Sequence, residues 1–397
     1  MPETAAAGGG MTSLEKRVTV LLAAVVSARM IGVFMLLPVL AIYAEALAGQ
    51  RPMLIGLVIG VHGITQAGLQ IPLGRLSDRI GRKPVLIGGL LIFAAGSVVA
   101  ALSDHIAGII AGRALQGAGA ISAALIALLA DHTRPVLRTR AMAVVGISVG
   151  GSFMLALVLG PALNRLIGVP GLFWAGAGLA LAALLIIATG VPESPRREPV
   201  AFRLTLENRG TLAGSGLVPA YLGVFVLHVT LTALFIAAPF MLRDQLGILG
   251  DDHWRIYLTV LPASLVGTIP LILWSERASR QSVVFMTAMG CLILACVLLG
   301  AGIVDRWPVL GALALYFAGF NFLEARLPAL VSQKAPEHQR GTALGIYATA
   351  QFFGAFVGGV AGGWLLGAYG VPGIFYACAL AGLAWLVFSR PRLETPT

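Results

Sequence analysis

Charge is what this chain has least of. Among 397 residues, Asp, Glu, Lys and Arg make up 11%, and the acids are the scarcer sign, 17 against 27 basic residues. A chain so poor in charge, 58% hydrophobic and with a mean hydropathy of +0.91, carries more apolar surface than a soluble core of this size can enclose. Cysteine is nearly missing too. Cys291, Cys296 and Cys378 all fall in apolar runs, so they read as small fillers and not as a disulfide framework or a metal site. The absence of a glycine-rich phosphate loop argues against nucleotide hydrolysis as an energy source. A membrane-embedded enzyme would need clustered metal ligands, or a nucleophile and base on adjacent helices; neither pattern is found, and no catalytic residue, metal or cofactor is expected. The first 17 residues hold Glu3 and Glu15 and lack a positive segment ahead of a short apolar run, so no cleaved signal peptide is expected, and Met11 is an alternative start.

What is there is a series of apolar runs of about 20 residues, the length at which a helix spans the hydrocarbon core while satisfying its own backbone. Twelve are predicted, over 17–47, 53–74, 84–103, 106–131, 139–165, 170–191, 217–245, 254–275, 281–304, 308–332, 339–367 and 371–390. The 50 glycines and 21 prolines suit membrane helices that pack closely and bend. A charged segment over 192–216 divides the runs six and six, which predicts an all-α polytopic membrane protein of two pseudo-symmetric six-helix bundles, 17–191 and 217–390, with tails at 1–16 and 391–397. A net charge of +10 could suggest nucleic acid, but the distribution argues otherwise: with the N-terminus inside, 19 of the 27 basic residues fall in cytoplasmic loops, five outside and three within helices. That asymmetry places both termini in the cytoplasm.

The densest charge is Gly74–Pro84, Gly-Arg-Leu-Ser-Asp-Arg-Ile-Gly-Arg-Lys-Pro, read as a tight connection between the second and third runs. Gly74 and Gly81 permit a sharp reversal, and Asp78 is an odd carboxylate among the cations Arg79, Arg82 and Lys83. Trp274–Arg280 occupies the equivalent place in the second half as a degenerate echo without the glycines. These residues resemble the signature loop of the major facilitator superfamily. Arg113-x-x-Gln116-Gly117-x-Gly119 is similar to its second motif, Gly160-Pro161 to its antiporter motif with Asn164 and Arg165 in place of the usual glycines, and Gly32-x5-Pro38-Val39 to a drug-exporter pattern. The likeness spans essentially the whole chain and lies with the twelve-helix drug/proton antiporter branch. YajR-type exporters are the nearest likeness, although no counterpart of their soluble C-terminal domain is expected before Thr397. The resemblance implies that Asp78 bridges to the opposite half near Arg340 and Gly341, and that Arg82 pairs with Asp131. Together these would latch the inner face shut in an outward-open state. The plainer reading is that the charges only anchor topology.

Polar groups inside the runs are costly unless they pair or face water, so each is a candidate. Arg29 lies close to mid-membrane, either as a cavity-lining cation or in a structural pair. Arg113 has Gln116 and Gly117 on its face; the resemblance assigns it a part in proton coupling, while a hydrogen-bonded strut is the alternative. Glu324 is the only acid well inside a predicted run, with Asn321 on its face, and is the first candidate proton carrier, or else a permanent partner of an arginine. His62, Gln66 and Gln70 form a polar stripe at four-residue spacing; His228 aligns with Thr232, and Tyr347 with Gln351. Each histidine can carry a proton or simply line a cavity. Phe317 and Phe320 either stack on an aromatic substrate or pack the helix.

The expectation is a monomeric secondary transporter of the inner membrane that exports small amphipathic or lipophilic compounds in exchange for protons. An exporter or importer of a defined metabolite, a sugar or amino acid, is the alternative. A sensor that transports nothing would more naturally carry an added soluble domain.

Overall fold

The computed structural model describes residues 10–194, 216–277, 280–336 and 339–393, with side chains up to Ser389. Most of the expected 192–216 connection, Glu3 and the last residues of the tail lie outside the described residues. Among the described residues, ten helices are long and apolar enough to cross a membrane: α1 Ser13–Glu45, α2 Pro52–Ile80, α3 Arg82–Ala101, α4 Ile106–Asp131, α5 Pro135–Gly190, α6 Val218–Asp244, α7 Gly250–Ser275, α8 Gln281–Gly300, α9 Arg306–Lys334 and α10 Arg340–Ser389. Among the described residues the only strand-like pairing is an isolated bridge between Ala48 and His105.

Two of the ten are double crossings. The 56 residues of α5 would extend about 84 Å as one straight helix, far more than a bilayer. Instead the backbone leaves the helix at Gly168, with φ +67°, and α10 does the same at Gly370 with the same φ, a conformation open to glycine. Pro170 and Pro372 then stand near the start of each returning limb, where a missing N–H costs nothing. Gly160, before the first turn, lies under the Met35 carbonyl, and Gly176, after it, lies against Gly32; both limbs therefore pass α1 at one depth in opposite directions. In α10, Gly354 packs on Phe225, while Trp385 Nε1 beyond the turn donates to the Pro219 carbonyl at 3.2 Å, so both limbs meet α6. Counting α5 and α10 twice gives the twelve crossings that the hydropathy predicts.

Within the first half α1 packs on α5, α2 on α4 and α3 on both α4 and α5; in the second, α6 packs on α10, α8 on α9 and α10, and α7 on α9. Contact between the halves runs through α2 with α10, α5 with α7 and the end of α1 with α6. Exchanging the halves turns the first of these contacts into the second, which is the pseudo-two-fold relation of repeat-built transporters.

The halves do not meet evenly along their length. At one end Gly56 and Gly60 of α2 lie against Gly359 and Gly363 of α10, and a Cβ on Gly363 would meet the Pro52 carbonyl at 2.6 Å and Gly56 Cα at 2.9 Å. Farther along the same two helices, at Gly68, Gly341 and Gly345, an added Cβ would meet nothing within 4 Å. That second, parted end carries the basic cluster Arg75, Arg79, Arg82, Lys83, Arg134, Arg138 and Arg140. Buried apolar residues follow the same division. At the basic end the first half has a core of its own around Leu22, Leu86, Leu125 and Leu128, whereas Leu40, Val58 and Phe153 belong to one core with the second half.

One expectation about local structure changes. The charged stretch around Asp78 is read from sequence as a connecting loop, yet α2 continues to Ile80 and α3 begins at Arg82, leaving Gly81 alone as the break, with φ +102°. Helix formers around Asp78 extend α2 past the apolar run, because nothing in its charged surface opposes helix once it leaves the hydrocarbon.

Candidate functional site

The second half gathers its polar side chains into one cluster. Glu324 on α9 accepts from Gln351 Nε2 of α10 at 3.0 Å, and the same amide nitrogen lies 2.9 Å from Nε2 of His228 on α6. His228 Nε2 stands 3.8 Å from the second Glu324 oxygen. The opposite ring nitrogen, Nδ1, lies 3.0 Å from the Val224 carbonyl, which can only accept, so Nδ1 carries the hydrogen. A neutral His228 then presents a lone pair at Nε2, and Gln351 donates one N–H to the imidazole and one to the carboxylate. Glu324 Oε2 makes no hydrogen bond within the protein. Its side chain is 35% exposed, although Oε2 itself is buried. Asn321, one turn before, donates to Ser264 Oγ at 3.3 Å, and Tyr347 is buried with its hydroxyl unpartnered.

Aromatic rings close the groove beyond this cluster. Phe153 of α5 stacks on Phe320 at 6.3 Å and contacts Phe34, Phe235 and Phe317, while Phe320 lies edge-on to His228 at 6.0 Å. Phe317 is fully buried and Phe320 nearly so, which makes both packing residues in this conformation and not a surface for an aromatic ligand. Phe34 and Phe153 are absent from the residues singled out by sequence, because single aromatics in apolar runs give no signal of facing each other.

The first half holds a separate and sealed cluster. Arg29 Nη2 donates to Gln66 Oε1 at 2.9 Å and lies over the Phe93 ring at 5.6 Å. Arg113 donates to Gln116 at 2.7 Å and to the Val58 carbonyl at 3.4 Å, and Gln116 continues to Ser97 Oγ at 2.8 Å. His62, Gln66 and Gln70 are all buried. Among the described residues no hydrogen bond or ion pair joins this cluster to the one around Glu324. Arg326 points away from Glu324 and donates to Gln281 at 2.9 Å.

Around the Gly81 break the charges are satisfied inside the first half. Asp78 pairs with Arg82 Nη1 at 2.5 Å, Arg82 also donates to Ser77 Oγ at 2.6 Å, and its Nε stands 3.5 Å from Asp131. Asp131 in turn accepts from Ser194 at 2.5 Å, and Lys83 donates to the carbonyls of Ala188 and Val191 where α5 ends. No ion pair links Asp78 to Arg340 among the described residues. At the closed end, charges missed by sequence reading cross between halves: Arg243 of α6 pairs with Glu45 of α1 at 2.6 Å, and Asn164, near Gly160 and Pro161, donates to Asp251 at 3.0 Å.

Comparison with known proteins assigns this architecture. The profile of the Major Facilitator Superfamily matches residues 22–359 and 220–397, which together take in nearly the whole chain. The chain belongs to the major facilitator superfamily. It is a multi-pass membrane transporter of small molecules and not an enzyme. Within the superfamily it is 42% identical to the inner membrane transport protein YajR of Escherichia coli (strain K12), over 97% of this chain and 85% of YajR. It is 25% identical to the multidrug resistance protein MdtH of Proteus mirabilis (strain HI4320), over 84% and 83% of the two chains. The crystal structure of a D-xylose-proton symporter superposes with a TM-score of 0.73 over 95% of this chain and 97% of the other; at 18% identity that likeness concerns the fold.

Proposed function

We propose that this transporter exports small amphipathic or lipophilic compounds in exchange for protons, by rocking residues 17–191 against 217–390 about the groove between them. The observation that carries this reading is the Glu324–Gln351–His228 cluster. It joins one carboxylate, one imidazole and the amide between them on three helices of the second half. A proton arriving at His228 Nε2 removes its lone pair, so Gln351 must turn its oxygen toward the ring, which withdraws the N–H now given to Glu324. Protonation of Glu324 likewise turns an acceptor into a donor. Either event rearranges the tie between α6, α9 and α10, the last of which packs directly on α2 of the other half. Likeness to the multidrug protein MdtH supports multidrug-type export.

By the positive-inside rule the basic end is cytoplasmic, so both termini are inside, the likeness to YajR supports an inner-membrane location, and this conformation faces the cytoplasm. In the outward-facing state the basic ends close on each other. Asp78 then exchanges its bond within α2 and α3 for the start of α10 at Arg340 and Gly341, with Gly74, Arg79, Gly81, Arg82 and Asp131 holding the geometry. Arg113 supports the first half during this exchange; Asn321, Tyr347 and Gln351 form the polar interior around the route of the substrate, while Arg29, His62, Gln66 and Gln70, expected there from sequence, are sealed behind it in this conformation. The protein works as a monomer in the bilayer.

Reconstituted vesicles with an imposed proton gradient test the reading against a panel of dyes and metabolites. Gradient-driven dye efflux, lost in Glu324→Gln, is expected. Efflux that ignores the gradient removes antiport, and efflux that keeps its gradient dependence in Glu324→Gln moves the coupling group elsewhere. A response to one sugar or amino acid alone would favour the defined-metabolite alternative.

A further inference from the structure

Two arginines lie sealed inside the first half with no carboxylate to neutralise them. Arg29 and Arg113 are each 1% exposed, and every hydrogen-bond partner of either is neutral: Gln66, Gln116 and the Val58 carbonyl. The described acids of this half, Glu15, Glu45, Asp78, Asp104, Asp131 and Glu193, all sit at or beyond helix ends. An unpaired buried charge is costly, and an amide oxygen supplies only a dipole in place of a counter-charge.

The atoms left over have a common sense. Arg29 Nε and Gln66 Nε2 are buried donors that make no hydrogen bond within the protein, and His62 Nδ1, one helical turn from Gln66, is a third unpartnered nitrogen. Gln66 cannot turn to satisfy them, because its oxygen is held by Arg29. Against these stands one orphaned acceptor, Gln70 Oε1. Water could meet the donors but would leave both positive charges uncompensated.

We propose that the first half binds a small inorganic monoanion of the chloride class between Arg29 Nε, Gln66 Nε2 and the Nδ1–H tautomer of a neutral His62, with Arg113 adding to the field that holds it. A monatomic ion suits the site because its surroundings on α1, α2, α3 and α4 are enclosed even while the groove is open, so a substrate's carboxylate has no way in. The ion acts as a fixed counter-charge of the first half, and it is independent of whether protons drive transport.

The test uses the purified full-length protein in detergent, melted in sodium chloride, sodium bromide or sodium gluconate at matched ionic strength. Chloride and bromide are expected to raise the melting temperature saturably over gluconate. Gln66→Glu brings its own carboxylate to Arg29, and should melt higher than the parent in gluconate and lose the halide response; Arg29→Gln should lose the response as well. Crystals grown in bromide should show an anomalous peak beside Arg29 and Gln66. Equal melting in the three salts, an undiminished halide response in Gln66→Glu, or water alone beside Arg29 would each overturn the proposal. Because Gln66→Glu adds a favourable pair, it remains decisive even where Arg29→Gln fails to fold.

Discussion

The two ends of this transporter solve the same problem with opposite means. At the closed end, α2 and α10 touch backbone to backbone through Gly56, Gly359 and Gly363, and the pairs Glu45–Arg243 and Asn164–Asp251 cross the divide. At the basic end the halves stand apart, and among the described residues the bonds of Asp78, Arg82 and Lys83 are made within the first half. Close apolar contact is short-ranged and tolerates no added atom, whereas a charged side chain can change partners as the helices move. One end therefore resembles a fitted hinge surface, and the other a set of charges poised to exchange bonds.

The sharpest way to break this contrast is to add one methyl group where the backbones meet. Gly363→Ala would push a Cβ into the Pro52 carbonyl and Gly56 Cα, neither of which can move like a side chain. Overpacking of this kind costs about 1–3 kcal/mol, which is roughly a fivefold to 150-fold loss of the conformation described here. Spin-label distances across the closed end should lengthen and transport should fall; unchanged distances would mean that the contact is not what closes this end.

A smaller effect is expected at the basic end. The Asp78–Arg82 pair is partly exposed and spans the Gly81 break between α2 and α3, so in this conformation it contributes about 0.2–1 kcal/mol. Asp78→Asn should thus leave the stability of the present form nearly unaltered while weakening a latch made only when the basic ends meet. Cysteines placed at the basic end should label faster in this variant, and equal labelling rates would remove the latch.

An effect of the same small size, but dependent on salt, is expected from Glu45→Gln. Its pair with Arg243 is largely solvated, with side chains 43% and 30% exposed, so its loss should shift the balance of states by about 1 kcal/mol or less. The shift should vanish in high salt, where exposed charges are screened. A shift that persists in high salt would point to packing and not to charge.

Sequence reading found most members of the candidate site but few of their relations. Glu324 stood out because an acid in an apolar run is rare, and Gln351 and His228 because each lies on a polar helical face. Nothing in three separate helices says that the three side chains converge on one amide. The loop around Asp78 was misread for a different reason: hydropathy marks where a helix leaves the hydrocarbon, not where it stops being a helix, so α2 runs on to Ile80. Asn164 was noticed only as a departure from the antiporter glycines, and its role as a bond to Asp251 depends on a residue 87 positions away.

By itself the sequence determined the number of crossings, the basic side and the list of polar groups that the membrane would have to accommodate. These are local properties, set by how far an apolar run extends and by which residues share a helical face. Only the tertiary structure decided which of those groups meet, that Arg29 faces Gln66 with no acid beside it, and which end of the groove is closed. Helix register and the tilt of one half against the other are properties of many contacts at once, and a chain that must open to both sides carries the contacts of both states in one sequence.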